Sequence, residues 1–153
     1  MITQPAQRKL MTLETEKIGR IEYSADMVFD MPLGLYGFED EKTFVLYESR
    51  NVTPFVWLQS LRSSHLAFLL INPQMIRSEY ILKARREDLM GLHIEKEADC
   101  RVYVIASIHG GNVQNITLNM QGPLVFNMAQ KKAQQIIVEN EPLQEPLLLA
   151  AVS

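Results

Sequence analysis

Phe29-Asp30-Met31-Pro32-Leu33-Gly34-Leu35-Tyr36-Gly37-Phe38-Glu39 interleaves bulky apolar side chains with one proline and two glycines. That composition makes a shaped corner. Pro32 fixes its own φ and has no donor for a sheet ladder, while Gly34 and Gly37 can take positive φ or admit a second backbone at close range. A chain that folds through such corners is built from short strands, and the flanking residues read that way. Residues 27–30 lead into the corner, and residues Thr43–Tyr47 and 55–60 form the next strand pair.

Upstream, Met11–Thr15 and residues 20–23 flank Gly19 as a hairpin. Downstream, Leu66-Ala67-Phe68-Leu69-Leu70-Ile71 is a continuous apolar run stopped by Asn72-Pro73, short enough for a strand buried on both faces and the expected centre of the core. Residues 85–92, with Gly91 near the end, predict one short helix able to plug one end of a sheet structure. Cys100–Ile108 alternates, with Cys100, Val102, Val104, Ala106 and Ile108 on one face and Arg101, Tyr103 and Ser107 on the other. Residues 116–121 alternate too, and Gly122-Pro123 then predicts a corner before a further strand at 124–127. Residues 131–138 suit a strand better than a helix because of Ile136-Ile137-Val138.

Many short strands and a single brief helix predict a mostly β fold: a small closed or nearly closed β-barrel of short antiparallel strands, since closure removes unpaired edges. A two-sheet sandwich is the alternative. Residues 1–153 read as one domain, with 1–10 and 146–153 as flexible ends, although Leu147-Leu148-Leu149 could also clasp the body.

Catalytic chemistry finds little footing. His65, His93 and His109 are far apart in sequence, and the lone Cys100 sits in a strand-like run as an inert thiol, so no metal site is expected. There is no phosphate loop and no nucleophile turn around a serine. The carboxylates cluster as Glu39-Asp40-Glu41, as Glu95, Glu97 and Asp99, and as Glu139, Glu141 and Glu145, in turn or edge settings where charge discourages stray strand pairing. One such cluster could instead complement a basic partner. A formal charge of −3, with Lys83, Arg85, Arg86, Lys131 and Lys132 dispersed, argues against binding a phosphate backbone. With no membrane-spanning run and no secretion signal in these residues, a cytoplasmic protein is expected.

Trp57 shares one strand face with Phe55 and Gln59, opposite Val56 and Leu58. A large aromatic beside an amide suits a protein contact, and packing of Trp57 beneath the corner is the structural alternative.

Five segments in order carry a resemblance: Pro32-Leu33-Gly34-Leu35-Tyr36-Gly37-Phe38-Glu39, Phe55-Val56-Trp57-Leu58-Gln59-Ser60, Leu66-Ala67-Phe68, Asn72-Pro73, and Thr117-Leu118-Asn119-Met120-Gln121-Gly122-Pro123-Leu124-Val125. Together they resemble the flagellar assembly factor FliW family, over roughly residues 12–145. The resemblance implies a β-barrel without enzymatic activity or cofactor that binds two proteins, the translational regulator CsrA and flagellin. In that scheme, export of flagellin frees the factor to bind CsrA and relieve repression of the flagellin messenger RNA. No nucleic acid, membrane or small-molecule ligand is expected. Trp57 and Gln59, with Pro32, Gly34, Gly37 and Phe38 of the corner beside them, are the first candidates for partner contact, and Asn119 and Gln121 are the second. A barrel enzyme or ligand carrier, with a polar pocket in its interior, and a nucleic-acid-binding barrel with a basic aromatic groove are the rival readings.

Overall fold

The computed structural model describes residues 9–139 and 141–147. The strands are β1 (Met11–Thr15), β2 (Gly19–Tyr23), β3 (Val28–Asp30), β4 (Thr43–Tyr47), β5 (Val56–Ser60), β6 (Ala67–Ile71), β7 (Cys100–Ile108), β8 (Ile116–Asn127), β9 (Lys132–Gln135) and β10 (Glu145–Pro146), with one short helix, α1 (Arg86–Leu89). Strands β3 to β9 run in the order β8-β7-β6-β5-β4-β3-β9, and β9 pairs back onto β8 to close a seven-stranded barrel. Every junction in it is antiparallel but one: β3 meets β9 in parallel, through the single register pair Asp30 and Lys132.

Strand alternation sorts the apolar residues into two layers. Phe29, Phe44, Leu58, Leu70, Leu124 and Phe126 point inward and are fully buried, so side chains fill the barrel interior. The outer face of β6, β7 and β8 carries a second cluster, including Ile71, Val104, Leu118 and Met120, covered by Tyr80 and Leu147. Leu70 and Ile71, on opposite faces, are both fully buried, as the unbroken apolar run requires. Tyr103 and Val104 are likewise buried on opposite faces of β7. Residues 86–92 form α1 and a following 3₁₀ turn that seats Leu92 against Val125, Ile136 and Val138.

The corner expected at Gly122-Pro123 takes another form. β8 continues through these residues, and the register with β7 jumps from Tyr103–Leu124 to Ile105–Asn119, so that Val104 alone faces residues 120–123. This large bulge bends β8 enough to pair with β10 at one end and β9 at the other while keeping β7 throughout.

The loose end expected from 146 onward does not hold at Pro146 and Leu147. Pro146 pairs with Thr117, the Leu147 N–H donates to the Ile116 carbonyl at 2.9 Å, and the Leu147 side chain is buried. Arg77 secures the same segment, forking onto both oxygens of Glu141 (3.2 and 3.1 Å) and of Glu145 (3.1 and 3.0 Å). Lys9 and Leu10 are exposed, and residues 1–8 and 148–153, which hold the rest of the expected flexible ends and Leu148-Leu149, lie outside the described residues.

Candidate partner-binding surface

The corner is held from beneath and leaves its apolar residues outward. The Gly34 N–H donates to the Met31 carbonyl (2.8 Å), the Phe38 N–H to the Leu35 carbonyl (2.7 Å), and the Glu41 N–H to the Phe38 carbonyl (3.1 Å). Met31 and Leu35 are buried as anchors. Leu33, Tyr36 and Phe38 stay 65%, 60% and 41% exposed, three large apolar side chains within six residues. Gly34 has φ +64°, and a Cβ there would lie 2.7 Å from backbone atoms of Phe38 and Glu39, so the position admits only glycine. Pro32 is exposed, and its carbonyl accepts from Lys42 Nζ at 2.9 Å. Phe38 also meets the ring of Phe68 edge-on, at 5.3 Å between centroids.

Asn119 and Gln121 reach this corner through a residue that sequence reasoning missed. Asn119 Oδ1 accepts the N–H groups of Gln121 (3.1 Å) and Gly122 (3.0 Å), shaping the bulge of β8. The buried Gln135 then donates from Nε2 to the Gly122 carbonyl (2.9 Å) and accepts the Tyr36 N–H on Oε1 (2.9 Å). Its amide thus braces the corner against the bulge. A Cβ on Gly122 would sit 2.7 Å from that Nε2, so glycine is what lets the brace close. Leu33, Gly34, Tyr36, Glu39, Gln134 and Gln135 line a shallow cleft of about 220 Å³ beside it.

Trp57 and Gln59 lie elsewhere. Val56 and Leu58 take the inward face, which puts Trp57 outside, opposite Tyr47 and Leu69 on the neighbouring strands and half-buried. Among the described residues it makes no ring contact or hydrogen bond with the corner. Gln59 is 0% exposed, which corrects its assignment to a contact surface. The reason is the β1–β2 hairpin. Its loop donates from the Glu16 N–H to the Ser64 carbonyl (3.0 Å) and from Lys17 Nζ to the carbonyl of Ala67, the cross-strand neighbour of Gln59 (3.1 Å). Gln59 Nε2 turns instead to the carbonyls of Ser60, Ser63 and Ser64, holding that turn.

Two carboxylates beside the corner hold their charge to lower pH than an ordinary glutamate. The Gly37 N–H donates to Glu39 and holds its carboxyl below the usual carboxylate range. The Ser63 and Ser60 hydroxyls do the same for Glu41, outweighing its partial burial. A depressed folded-state pKa adds stability that is complete above the unfolded-chain value and lost as pH falls through the folded one. Replacing Ser63 with alanine should therefore raise the Glu41 pKa and shrink the stability lost below the ordinary carboxylate range. A side-chain carboxyl NMR titration combined with acid unfolding of both chains measures it, and an unmoved Glu41 titration refutes it. Cys100 is half-buried rather than enclosed, and burial raises its thiol pKa, with Glu97 adding to the shift.

The FliW protein family profile matches residues 12–147. The chain belongs to the FliW family. Its match runs two residues past the 12–145 span over which the resemblance was read. The flagellar assembly factor FliW of Leptospira biflexa is 31% identical over 131 residues, covering 86% of each chain. That of Thermotoga maritima is 31% identical over 134 residues, covering 88% of this chain and 90% of its own. That of Treponema denticola is 33% identical over 130 residues, covering 85% and 87%. A crystal structure of the flagellar assembly factor FliW superposes with a TM-score of 0.79 at 30% identity, covering 91% of this chain and 96% of that one. The barrel is thus the FliW fold, and the relatives are named as assembly factors rather than enzymes.

Proposed function

We propose that this chain is a cytoplasmic flagellar assembly factor that works by exchanging two protein partners, CsrA and flagellin. Flagellin occupies it while abundant; when flagellin is depleted, the freed chain binds CsrA and relieves repression of flagellin messenger RNA translation. The observation that supports this most is the braced corner, where Leu33, Tyr36 and Phe38 stand exposed on a backbone tied by its own hydrogen bonds and by Gln135. Rigid exposed apolar groups suit a protein contact, because little side-chain or loop freedom is lost on binding. A filled barrel interior speaks against a ligand carrier, whose cavity would be enclosed. Asn119 and Gln121 then act as supports of the contact surface more than as its face, and Trp57 offers a second, separate patch.

Binding of the purified chain to CsrA and to flagellin by calorimetry tests the proposal. The double substitution Leu33→Ser and Tyr36→Ser is expected to leave the melting temperature within a few degrees and to weaken capture of at least one partner by about 100-fold, as for central apolar anchors. Trp57→Ala reads the second patch in the same assay. If the double variant binds both proteins at wild-type strength, the corner is not the contact. If the unaltered chain binds neither, the functional reading falls.

A further inference from the structure

The barrel wall has a gap between β6 and β7. Asn72-Pro73 ends β6 and turns the chain away through a 3₁₀ turn at Pro73–Met75, so β6 pairs with β7 only at Val104, Ile105 and Ala106. Over residues 100–103, β7 pairs with β8 on one side and with no strand on the other among the described residues. Backbone groups of a strand point alternately to its two sides, and here Cys100 and Val102 face the gap; the Cys100 N–H is taken by the Glu97 carbonyl, which leaves the Cys100 C=O and the N–H and C=O of Val102 open to it.

Nearby runs Ile81-Leu82-Lys83-Ala84, outside any helix or strand. Its side chains alternate between exposed and half-buried as in a strand, yet none of its backbone groups has a hydrogen-bond partner among the described residues. Four consecutive unpaired residues are unusual in a folded chain, since main-chain donors and acceptors normally find partners. A cleft of about 480 Å³ lies between the two stretches, with Tyr80, Ile81 and Leu82 on one side and Arg101 and Val102 on the other. Ile81 is 77% exposed at its lip. Glu97 lines the same cleft, and its carboxylate is in no ion pair among the described residues.

Resting on the proposal that this chain works through protein partners, we infer that the slot accepts an added strand of about four residues from a partner protein, one that sets a basic residue against Glu97. Unpaired main-chain groups on both walls select an extended segment over a helix, whose backbone is already satisfied. Tyr80 and Val102 seat its apolar side chains, and Glu97 meets one Lys or Arg side chain. Opposite Arg101 the same segment carries an acidic or amide residue.

Hydrogen–deuterium exchange of the full chain, alone and with purified CsrA or flagellin, tests this directly. Amides of residues 81–84 exchange fast in the free chain, and those of 81–84 and 100–103 should slow by about tenfold or more in one complex. Ile81→Pro and Ala84→Pro delete N–H groups that face opposite edges and have no partner among the described residues. At least one of them should keep the wild-type melting temperature and bind that partner about tenfold more weakly, while Ile81→Ala stays near wild type. Binding with these amides unprotected and both proline variants unimpaired overturns the inference and leaves the functional proposal standing. Failure of the wild-type chain to bind either protein, with no protection of these amides, overturns both.

Discussion

Replacing Phe126 with alanine is expected to lower the unfolding free energy by about 3–5 kcal/mol. Phe126 has no exposed surface and meets two rings edge-on, Phe29 with centroids 5.1 Å apart and Tyr103 at 5.3 Å. Those rings stand on β3 and β7, on either side of the closed wall, and Ala133 opposite on β9 is too small to fill the vacated space. The void persists because each neighbour is pinned by its own strand, and a persisting cavity is what raises the cost beyond simple transfer. Urea unfolding should show a lowered midpoint with an unchanged slope. A loss under about 1 kcal/mol would mean that the interior rearranges easily. A loosely filled barrel could admit a small molecule, and the ligand-carrier reading would return.

Gly34→Ala is the second large effect expected, a loss of about 2–4 kcal/mol. Two penalties combine there. The backbone sits at φ +64°, which a Cβ disfavours by about 1–2 kcal/mol, and the added atom meets backbone of Phe38 and Glu39 at 2.7 Å, where no side chain can swing aside. Gly37→Ala isolates the first penalty, because that position has φ +89° with nothing within 4 Å of an added Cβ, and it should cost about 1 kcal/mol. Thermal unfolding of the pair separates the terms. Equal losses would show that the Phe38–Glu39 backbone gives way, and that the corner is less rigid than its hydrogen bonds indicate. If the corner is the partner contact, Gly34→Ala should also weaken capture in the remaining folded population, since Tyr36 and Phe38 would move with the displaced backbone.

Much of the barrel was legible in the residues. The Asn72-Pro73 stop fixed the end of β6, the alternation in 116–121 marked the first half of β8, and Pro32, Gly34 and Gly37 marked the corner. What the chain concealed were relations between distant segments. Alternation grouped Gln59 with Trp57 on one face, which the barrel turns outward, but outer is not exposed when a hairpin some forty residues upstream is tied over it. Gln135 looks like one polar residue in a short strand; its importance lies in a bond to Tyr36, across 99 positions of sequence. β10 contributes two paired residues, too few for any periodicity, and Arg77 shows its purpose only beside Glu141 and Glu145. Gly122-Pro123 signalled a change of direction, which β8 accommodates by bulging rather than by ending.

The parallel junction of β3 with β9 has one register pair, supplemented by the Asp30 N–H donating to the Lys131 carbonyl at 2.9 Å. It is the thinnest seam in the cylinder, and thermal breathing should start there, with the Asp30 amide losing protection before those of β4 and β5. Met31, the next residue, begins the corner, and its N–H donates to the Lys42 carbonyl at 2.7 Å, so a partner gripping Leu33 and Tyr36 would act one residue from this seam. If a bound partner steadies that residue, protection of the Asp30 amide would report occupancy of the corner from a strand the partner does not contact.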